Sequence, residues 1–138
     1  MHKHERLMKV GLLWIEDGLL LLCEPHAYRQ LILPGGRIEE GESDLECLLR
    51  EIREELGPDV ELDRSSLTRF GQFTREAANR PQATVTIEAY LGRLSGEPVA
   101  SDEIRELHWV NPAWEGVPFS PIVAKDIIPA LVKEGLLK

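Results

Sequence analysis

Hydrophobic and polar positions between Ser43 and Gly57 repeat with the period of an α-helix. At about 100° per residue, the apolar side chains fall in one narrow stripe that must face a core: Leu45, Leu49, Ile52 and Leu56, with Leu48 at its shoulder. Ser43 with Glu46 three residues later forms a capping box, which predicts that the helix begins at Ser43. Gly57, followed by Pro58, predicts its end.

Apolar runs on both sides of this helix predict strands. Residues 8–15 and 19–23 flank an Asp-Gly turn and predict a hairpin. The other runs predict a short buried strand at 31–33 and strands at 67–73, 84–94 and 104–110, with a polar loop at 74–83. A last helix is expected to begin at Ser120-Pro121, and Pro129 to kink or divide it. Periodicity alone predicts an α/β or α+β fold with one domain over residues 1–138.

The negative charge of the chain is concentrated around the predicted central helix. The 138 residues carry a net charge of −8. The stretch from 36 to 60 alone carries −6, from nine acidic residues and three arginines. Because the remainder is close to neutral, binding to nucleic-acid polymers through general electrostatics is disfavoured. A small polyphosphate brought in as its magnesium complex suits this charge distribution better.

The cysteines and the lengths of the apolar runs bear on the compartment. Cys23 and Cys47 have neither metal-ligand spacing nor further cysteines to pair with, which predicts reduced thiols in the cytoplasm. The longest apolar run, residues 19–23, is far too short to span a membrane, and the first residues are polar. We therefore predict no signal peptide and no membrane partner. Whether two copies of the chain form a homodimer is left open.

Three glutamates of the predicted helix share one face. Glu51, Glu54 and Glu55 are spaced at i, i+3 and i+4, so we expect their carboxylates to converge away from the leucine stripe. Such carboxylates repel one another unless a hard cation lies among them, and oxygen ligands suit Mg²⁺ or Mn²⁺. Arg50 is expected to fix the rotamer of Glu54, one turn later. Glu55 is then free to turn toward Glu51.

The alternative to a cation site is a solvated, charged helix face. The glycine loop at residues 35–36 favours the cation site, because glycine lets the backbone come close to an anionic ligand.

The stretch from Gly36 to Pro58 resembles the signature of the Nudix hydrolases. That signature is a Gly, five residues, a Glu, seven residues, Arg-Glu, an aliphatic residue, any residue, Glu-Glu, any residue, a Gly and an aliphatic residue. Eight positions of this chain fall at the required spacing over 22 residues: Gly36, Glu42, Arg50, Glu51, Ile52, Glu54, Glu55 and Gly57. The final aliphatic position is Pro58 instead, and Val60 is placed to fill that structural role.

The resemblance implies a fold, a reaction and a set of ligands. The fold is the Nudix-type α/β/α sandwich with a mixed β-sheet. The reaction is the metal-dependent hydrolysis of a diphosphate linkage in a nucleoside di- or triphosphate derivative. The Gly36 carbonyl, Glu51 and Glu55 are the implied ligands of Mg²⁺ or Mn²⁺. Glu54 is a further ligand or the catalytic base, and Arg50 belongs to the same catalytic set.

A second carboxylate is a candidate for the base. In several Nudix enzymes a carboxylate before the last strand takes that role, and Glu103 is the matching residue of this chain. A solvated loop acid is the alternative interpretation of Glu103.

Candidate substrate-binding residues lie outside the box. Arg29, Arg75 and Arg80 lie on predicted loops and are candidates to bind phosphates, with plain solvation as the alternative. Phe119 is a candidate either to stack on a base or to fill the core. The tail at 118–125 resembles that of small triphosphatases acting on oxidised guanine nucleotides. It lacks the asparagine that those enzymes use against the base, so it does not imply guanine selectivity.

Two further functions share this fold. A Nudix-fold binding or regulatory module without catalysis usually lacks box carboxylates, whereas this chain keeps all of them. Isopentenyl diphosphate isomerase has a degenerate box and a catalytic cysteine in its own sequence context, and the intact box argues against it. The sequence therefore predicts a Nudix hydrolase with a small-molecule nucleotide substrate.

Overall fold

Strands of the chain form two sheets, which a computed structural model describes over residues 4–77 and 80–138. In chain order the strands are β1 (Glu5–Leu13), β2 (Ile15–Glu16), β3 (Leu19–Pro25), β4 (Gly35–Arg37), β5 (Glu61–Glu76), β6 (Ala83–Ser95) and β7 (Ile104–Val110). The larger sheet has the order β4-β1-β6-β5 and is mixed, because β1 and β6 run parallel while the other pairs are antiparallel. The smaller sheet, β2-β3-β7, is antiparallel throughout.

The strands lie between two helical segments, one on each side. Alternation along β1 and the residue after it directs Val10, Leu12 and Trp14 to the cluster that packs against the first helix, α1 (Asp44–Leu56). Leu13 joins a second cluster, which includes Ile122, Val123, Ile127 and Leu131 of the last helix. The two clusters give three layers, so the predicted α/β/α sandwich with a mixed sheet is confirmed.

The ends of α1 are as predicted, but its buried face is rotated. Ser43 and Glu46 form the predicted capping box, and Gly57 ends the helix with a φ of 87°. Leu48 and Leu56 are fully buried together with Ile52, whereas Leu45 and Leu49 of the predicted stripe are only partly buried. Two other residues of the buried face are Cys47 and Glu55. The face of α1 that packs against the core therefore includes Leu48 and Glu55, and Leu45 lies at its edge.

The last helix is divided near Pro129, as predicted. Its middle part is a π-helical turn (Val123–Ile127), which continues into α2 (Ile128–Lys133). The Ile128 N–H donates to the Val123 carbonyl, five residues back. Proline has no N–H to continue an α-helical hydrogen-bond series, and the wider turn comes directly before it.

Two strand predictions are wrong in their pairing. Residues 8–15 are not one strand, since β1 ends at Leu13 and pairs with β4 and β6, and only the two residues of β2 form a hairpin with β3. Residues 31–33 form isolated bridges rather than a strand, because their hydrogen bonds go to two segments, Cys23 on one side and residues 118–120 on the other. The hydrophobic pattern indicates that a segment is buried, but it does not indicate which strands that segment pairs with.

The predicted loop at 74–83 is shorter in the structure. Strand β5 continues to Glu76, and β6 begins at Ala83. Residues 78 and 79 of this loop lie outside the described residues.

Candidate active site

A short glycine strand forms the base of the site. Strand β4 pairs with β1 so that Gly36 lies opposite Val10 and Gly35 opposite Gly11. Gly35 has a φ of 144°, and a Cβ there would lie 2.1 Å from the Val10 carbonyl oxygen. A Cβ on Gly36 would lie 2.5 Å from the carboxyl carbon of Glu51. A side chain at Gly35 would therefore collide with the backbone of β1, and one at Gly36 would collide with the carboxylate of Glu51.

Glu55 is a buried carboxylate bound to this strand. It is 6% exposed, and its Oε1 accepts a hydrogen bond of 2.8 Å from the Gly35 N–H. The pKa of Glu55 is raised to about 8, first by burial and also by the charges of Glu51 and Glu103, whereas the Gly35 N–H and Lys9 oppose the rise. Burial also raises the pKa of Glu51, although Arg50 opposes this. The two carboxylates thus form an anionic pair that is costly to keep charged without a cation.

Arg50 holds two of the box glutamates in place. Its Nε lies 2.6 Å from Oε2 of Glu42, its Nη1 lies 2.6 Å from Oε1 of Glu51, and its Nη2 donates to the Arg37 carbonyl at 3.1 Å. The hydrogen bonds from Arg50 lower the pKa of Glu42 to about 2. The contact with Glu54 is longer, at 3.6 Å between Nη1 and Oε2.

The expected contact between Arg50 and Glu54 is present at 3.6 Å, but it is not the shortest that Arg50 makes. Its shortest contacts are to Glu42 and Glu51. Glu55 is not free to turn either, because the Gly35 N–H holds it.

The three box carboxylates do not converge as expected. Glu54 keeps 45% of its side chain exposed, whereas Glu51 is drawn to Arg50 and Glu55 to Gly35. In the described part of the chain, one group of three His, Cys, Asp or Glu residues has its ligand atoms within 4.8 Å of one another: Glu24, Glu106 and His108, on β3 and β7. Their positions are up to 84 residues apart, which is why their spacing gave no signal.

Glu103 lies beside the box because the preceding segment is bound to α1. The Val99 N–H donates to the Leu56 carbonyl at 2.9 Å, and the Ser101 N–H donates to the Glu55 carbonyl at 3.1 Å. Glu103 itself is exposed, and its charge contributes to the raised pKa of both Glu51 and Glu55. The role of Glu103 as the base stays a prediction.

A cleft of about 450 Å³ opens beside the glycine strand. Lys9 and Arg37 are neighbouring positions of β1 and β4 and line it together with Gly35 and Gly36. The other walls come from the larger sheet, the segment before β4 and the beginning of the last helix, and they include Leu33, Ile87, Ser120, Ile122 and Val123.

The structure places the four predicted substrate residues in different surroundings. Arg75 and Arg80 line the cleft, with Arg75 paired to Asp126 at 2.6 Å and Arg80 3.5 Å from Glu5. Arg29 lies outside it, 3.4 Å from the buried Glu24. Phe119 lies outside it too, because its ring packs against the core.

Sequence reasoning missed Lys9, Arg37 and Ser120, which line the cleft. Lys9 lies between Leu7 and Gly11 on the face of β1 that lines the cleft. Alternate residues of a strand share one face, so a lysine at an otherwise apolar face could have been recognised as a candidate site residue. Burial lowers the pKa of Lys9, against the charge of Glu55. Ser120 was recognised only as the start of the last helix, and nothing local indicates that its side chain lines a cleft.

The residues of the site fit a hard divalent cation. Its donors are carboxylate oxygens and the carbonyl of a glycine strand, which suit Mg²⁺ or Mn²⁺. The raised pKa of Glu55, caused first by burial, indicates a carboxylate that lacks sufficient positive charge nearby. Lys9 alone does not restore its usual pKa.

We expect Glu55→Gln to stabilise the metal-free protein at alkaline pH. The pKa of Glu55 is about 8 in the fold against 4.5 for a free glutamate, so between these values the folded chain keeps a proton that the unfolded chain releases. Stability therefore falls as the pH rises through this window, and glutamine removes that loss, which is of the order of a few kcal/mol. Thermal melts in chelator at pH 5 and pH 9, with the exposed Glu54→Gln as the control, measure the difference.

The α/β/α sandwich and the glutamate-rich helix beside a glycine strand are the features expected of a Nudix domain, and the comparison with known families identifies the same class. The NUDIX domain family model matches residues 6–130. The chain therefore belongs to the NUDIX domain family, and the predicted membership is confirmed.

Individual relatives agree with this assignment. The chain is similar to the 8-oxo-dGDP phosphatase NUDT18 of Danio rerio, with 34% identity over 110 residues. That similarity covers 79% of this chain but 30% of the relative, so the chain spans less than a third of that protein's length. The MutT NUDIX hydrolase structure from Burkholderia pseudomallei has a TM-score of 0.71 at 24% identity, with 85% of this chain and 92% of that chain covered.

A solution structure gives a further match. The E. coli ORF135 protein has a TM-score of 0.65 at 27% identity, and the match covers 93% of this chain and 87% of that one. Separately, no helix among the described residues has the length and apolarity needed to cross a bilayer.

Proposed function

We propose that this chain is a magnesium-dependent pyrophosphohydrolase that cleaves a diphosphate linkage in a nucleoside di- or triphosphate derivative. The observation that carries the proposal is the buried carboxylate of Glu55. It accepts from the Gly35 N–H at 2.8 Å and has its pKa raised by burial to about 8. A buried carboxylate with a strongly shifted pKa beside a second carboxylate is a candidate for a functional site, and a bound cation would favour its charged form.

The metal-binding residues in this proposal are the Gly36 carbonyl, Glu51 and Glu55, with Glu54 as a further ligand or as the base. When bound there, Mg²⁺ or Mn²⁺ would neutralise phosphate charge and lower the pKa of a water molecule. Arg50 is a positioning residue, because it holds Glu51 at 2.6 Å.

The chain's own residues supply the proton acceptor and the phosphate contacts. Glu54 is exposed next to the ligands and accepts the proton of the attacking water, with Glu103 as the second candidate. Lys9 and Arg37 line the cleft beside the glycine strand, where cationic groups stabilise phosphate oxygens. Arg75 and Arg80 line the same cleft.

A small nucleotide is the substrate class that suits the cleft. Its volume of about 450 Å³ lies within the range of roughly 300–1,000 Å³ that is typical of small-molecule sites. The Danio rerio relative is named for its action on a nucleoside diphosphate, 8-oxo-dGDP. The acidic surface disfavours a nucleic-acid polymer. A cytoplasmic location agrees with the two buried, unpaired cysteines, and a homodimer stays an open prediction.

A panel of nucleotides incubated with the protein and Mg²⁺, with products resolved by mass, tests the proposal. We expect a nucleoside monophosphate as one product, loss of turnover in excess chelator, recovery with added Mg²⁺, and an optimum on the alkaline side. Turnover that survives chelation would exclude the metal mechanism. Binding without turnover of any nucleotide would favour a catalytically silent Nudix module instead.

A further inference from the structure

One polar atom of the cleft has no partner within the described residues. Ser120 is 7% exposed and is one of the residues that line the cleft, while its Oγ is buried and makes no hydrogen bond. Buried hydroxyl groups are nearly always hydrogen-bonded, and an unsatisfied one is destabilising. Among the residues that the structure describes, Ser120 has the one buried side-chain oxygen without a hydrogen-bond partner.

The backbone of Ser120 is fully used, which leaves only the hydroxyl for a ligand. Its N–H donates to the Leu31 carbonyl at 2.9 Å, and its carbonyl accepts from the Ala124 N–H at 2.9 Å. A serine at the start of a helix ordinarily caps it by accepting from a first-turn N–H. The Ser120 hydroxyl makes no such bond.

The cleft that Ser120 lines has an apolar part and a charged part. Leu33, Ile87, Ile122 and Val123 belong to one apolar cluster and all line the cleft. Another part of the cleft carries Lys9 and Arg37 beside the glycine strand. A ligand with an anionic group and a flat apolar body with a polar edge matches both parts at once.

We propose that the Ser120 hydroxyl hydrogen-bonds the polar edge of the substrate's heterocyclic base and is a specificity-determining residue. The inference rests on the proposed function, because it takes the substrate to be a nucleotide. A hydroxyl can both donate and accept, so it recognises a carbonyl or an amino group of the base. A base with only C–H at that edge leaves the hydroxyl unsatisfied and is disfavoured.

Binding measurements separate this contact from the rest of the cleft. Calorimetry is run on wild type, Ser120→Ala and the exposed-serine control Ser95→Ala, with the four common nucleoside 5′-monophosphates and with ribose 5-phosphate. We expect Ser120→Ala to weaken the best-bound monophosphate about tenfold and to leave ribose 5-phosphate unchanged. Ser95→Ala should change neither. Ser120→Ala should also melt at or above the wild-type temperature, because it removes an unsatisfied buried oxygen.

Three outcomes would overturn the inference: equal weakening of both ligand types, no weakening of any, or wild type that binds the monophosphates no better than ribose 5-phosphate. A lowered melting temperature of Ser120→Ala with equal weakening would instead assign Ser120 a structural role. Failure of the proposed function is read separately, from the absence of diphosphate cleavage by wild type, since monophosphate binding needs no cleavage.

Discussion

Glu54→Gln is expected to lower kcat by about 100- to 10,000-fold, the usual contribution of a general base, with KM largely retained. The Glu54 side chain is 45% exposed, and its nearest cation is Nη1 of Arg50 at 3.6 Å. It is therefore more accessible to a water molecule than Glu51 or Glu55. Glutamine preserves the shape and one hydrogen-bond acceptor but removes the charge and the basic site, so the loss should appear in turnover rather than in binding.

Glu103→Gln is the comparison that decides which carboxylate is the base. Both variants are measured at saturating Mg²⁺ beside Glu40→Gln, which changes an exposed glutamate of the loop between β4 and α1. If Glu54 is the base, Glu103→Gln costs less than Glu54→Gln, and Glu40→Gln is close to wild type. A Glu54→Gln enzyme with near-normal turnover would assign the base to Glu103. If both variants kept near-normal turnover, a carboxylate base would have to be abandoned.

The part of the site that the sequence predicted is the part encoded by local spacing. The capping box at Ser43 and the end of α1 at Gly57 depend on residues within one or two turns of each other. Such relations follow from helix geometry alone. The α/β/α arrangement was predictable for a similar reason, because each apolar run and its length could be identified along the chain.

Burial of charged residues was the first thing that the sequence could not show. Periodicity assigns a glutamate to the exposed face, yet Glu55 is 6% exposed. It is tolerated there because the Gly35 N–H, twenty residues earlier in the chain, donates to it. That contact exists only once β4 has paired with β1, so no local pattern encodes it.

The partners of Arg50 and the lining of the cleft depend on tertiary contacts in the same way. The helical spacing from Arg50 to Glu54 predicted their pairing, but Glu42, eight residues earlier, lies closer. Ser120 reaches the cleft because residues 31–33 bridge to residues 118–120. Sequence periodicity gives neither relation, because both are set by how separate segments pack.

Gly36→Ala is expected to lower kcat/KM by at least about 100-fold while leaving the fold intact. The new Cβ would lie 2.5 Å from the carboxyl carbon of Glu51 and 2.7 and 2.8 Å from its two oxygens. Glu51 must then move, away from the position in which Arg50 holds it at 2.6 Å. A displacement of about 1 Å in a catalytic arrangement can cost 100-fold in rate.

The fold should tolerate Gly36→Ala because the atoms displaced belong to the end of a flexible side chain, and Gly36 is not among the glycines with positive φ. Gly71→Ala on β5 is the matched control, since its Cβ would meet only the Phe73 ring at an ordinary 3.6 Å. Melting temperature, kcat/KM and the Mg²⁺ concentration for half-maximal activity are measured for both variants. Gly71→Ala should match wild type in all three, whereas Gly36→Ala should lose activity and require more Mg²⁺. If Gly36→Ala kept its activity within a few-fold of wild type at the same Mg²⁺ requirement, the position of Glu51 would not matter to the reaction, and Glu51 would have to be removed from the proposed metal ligands.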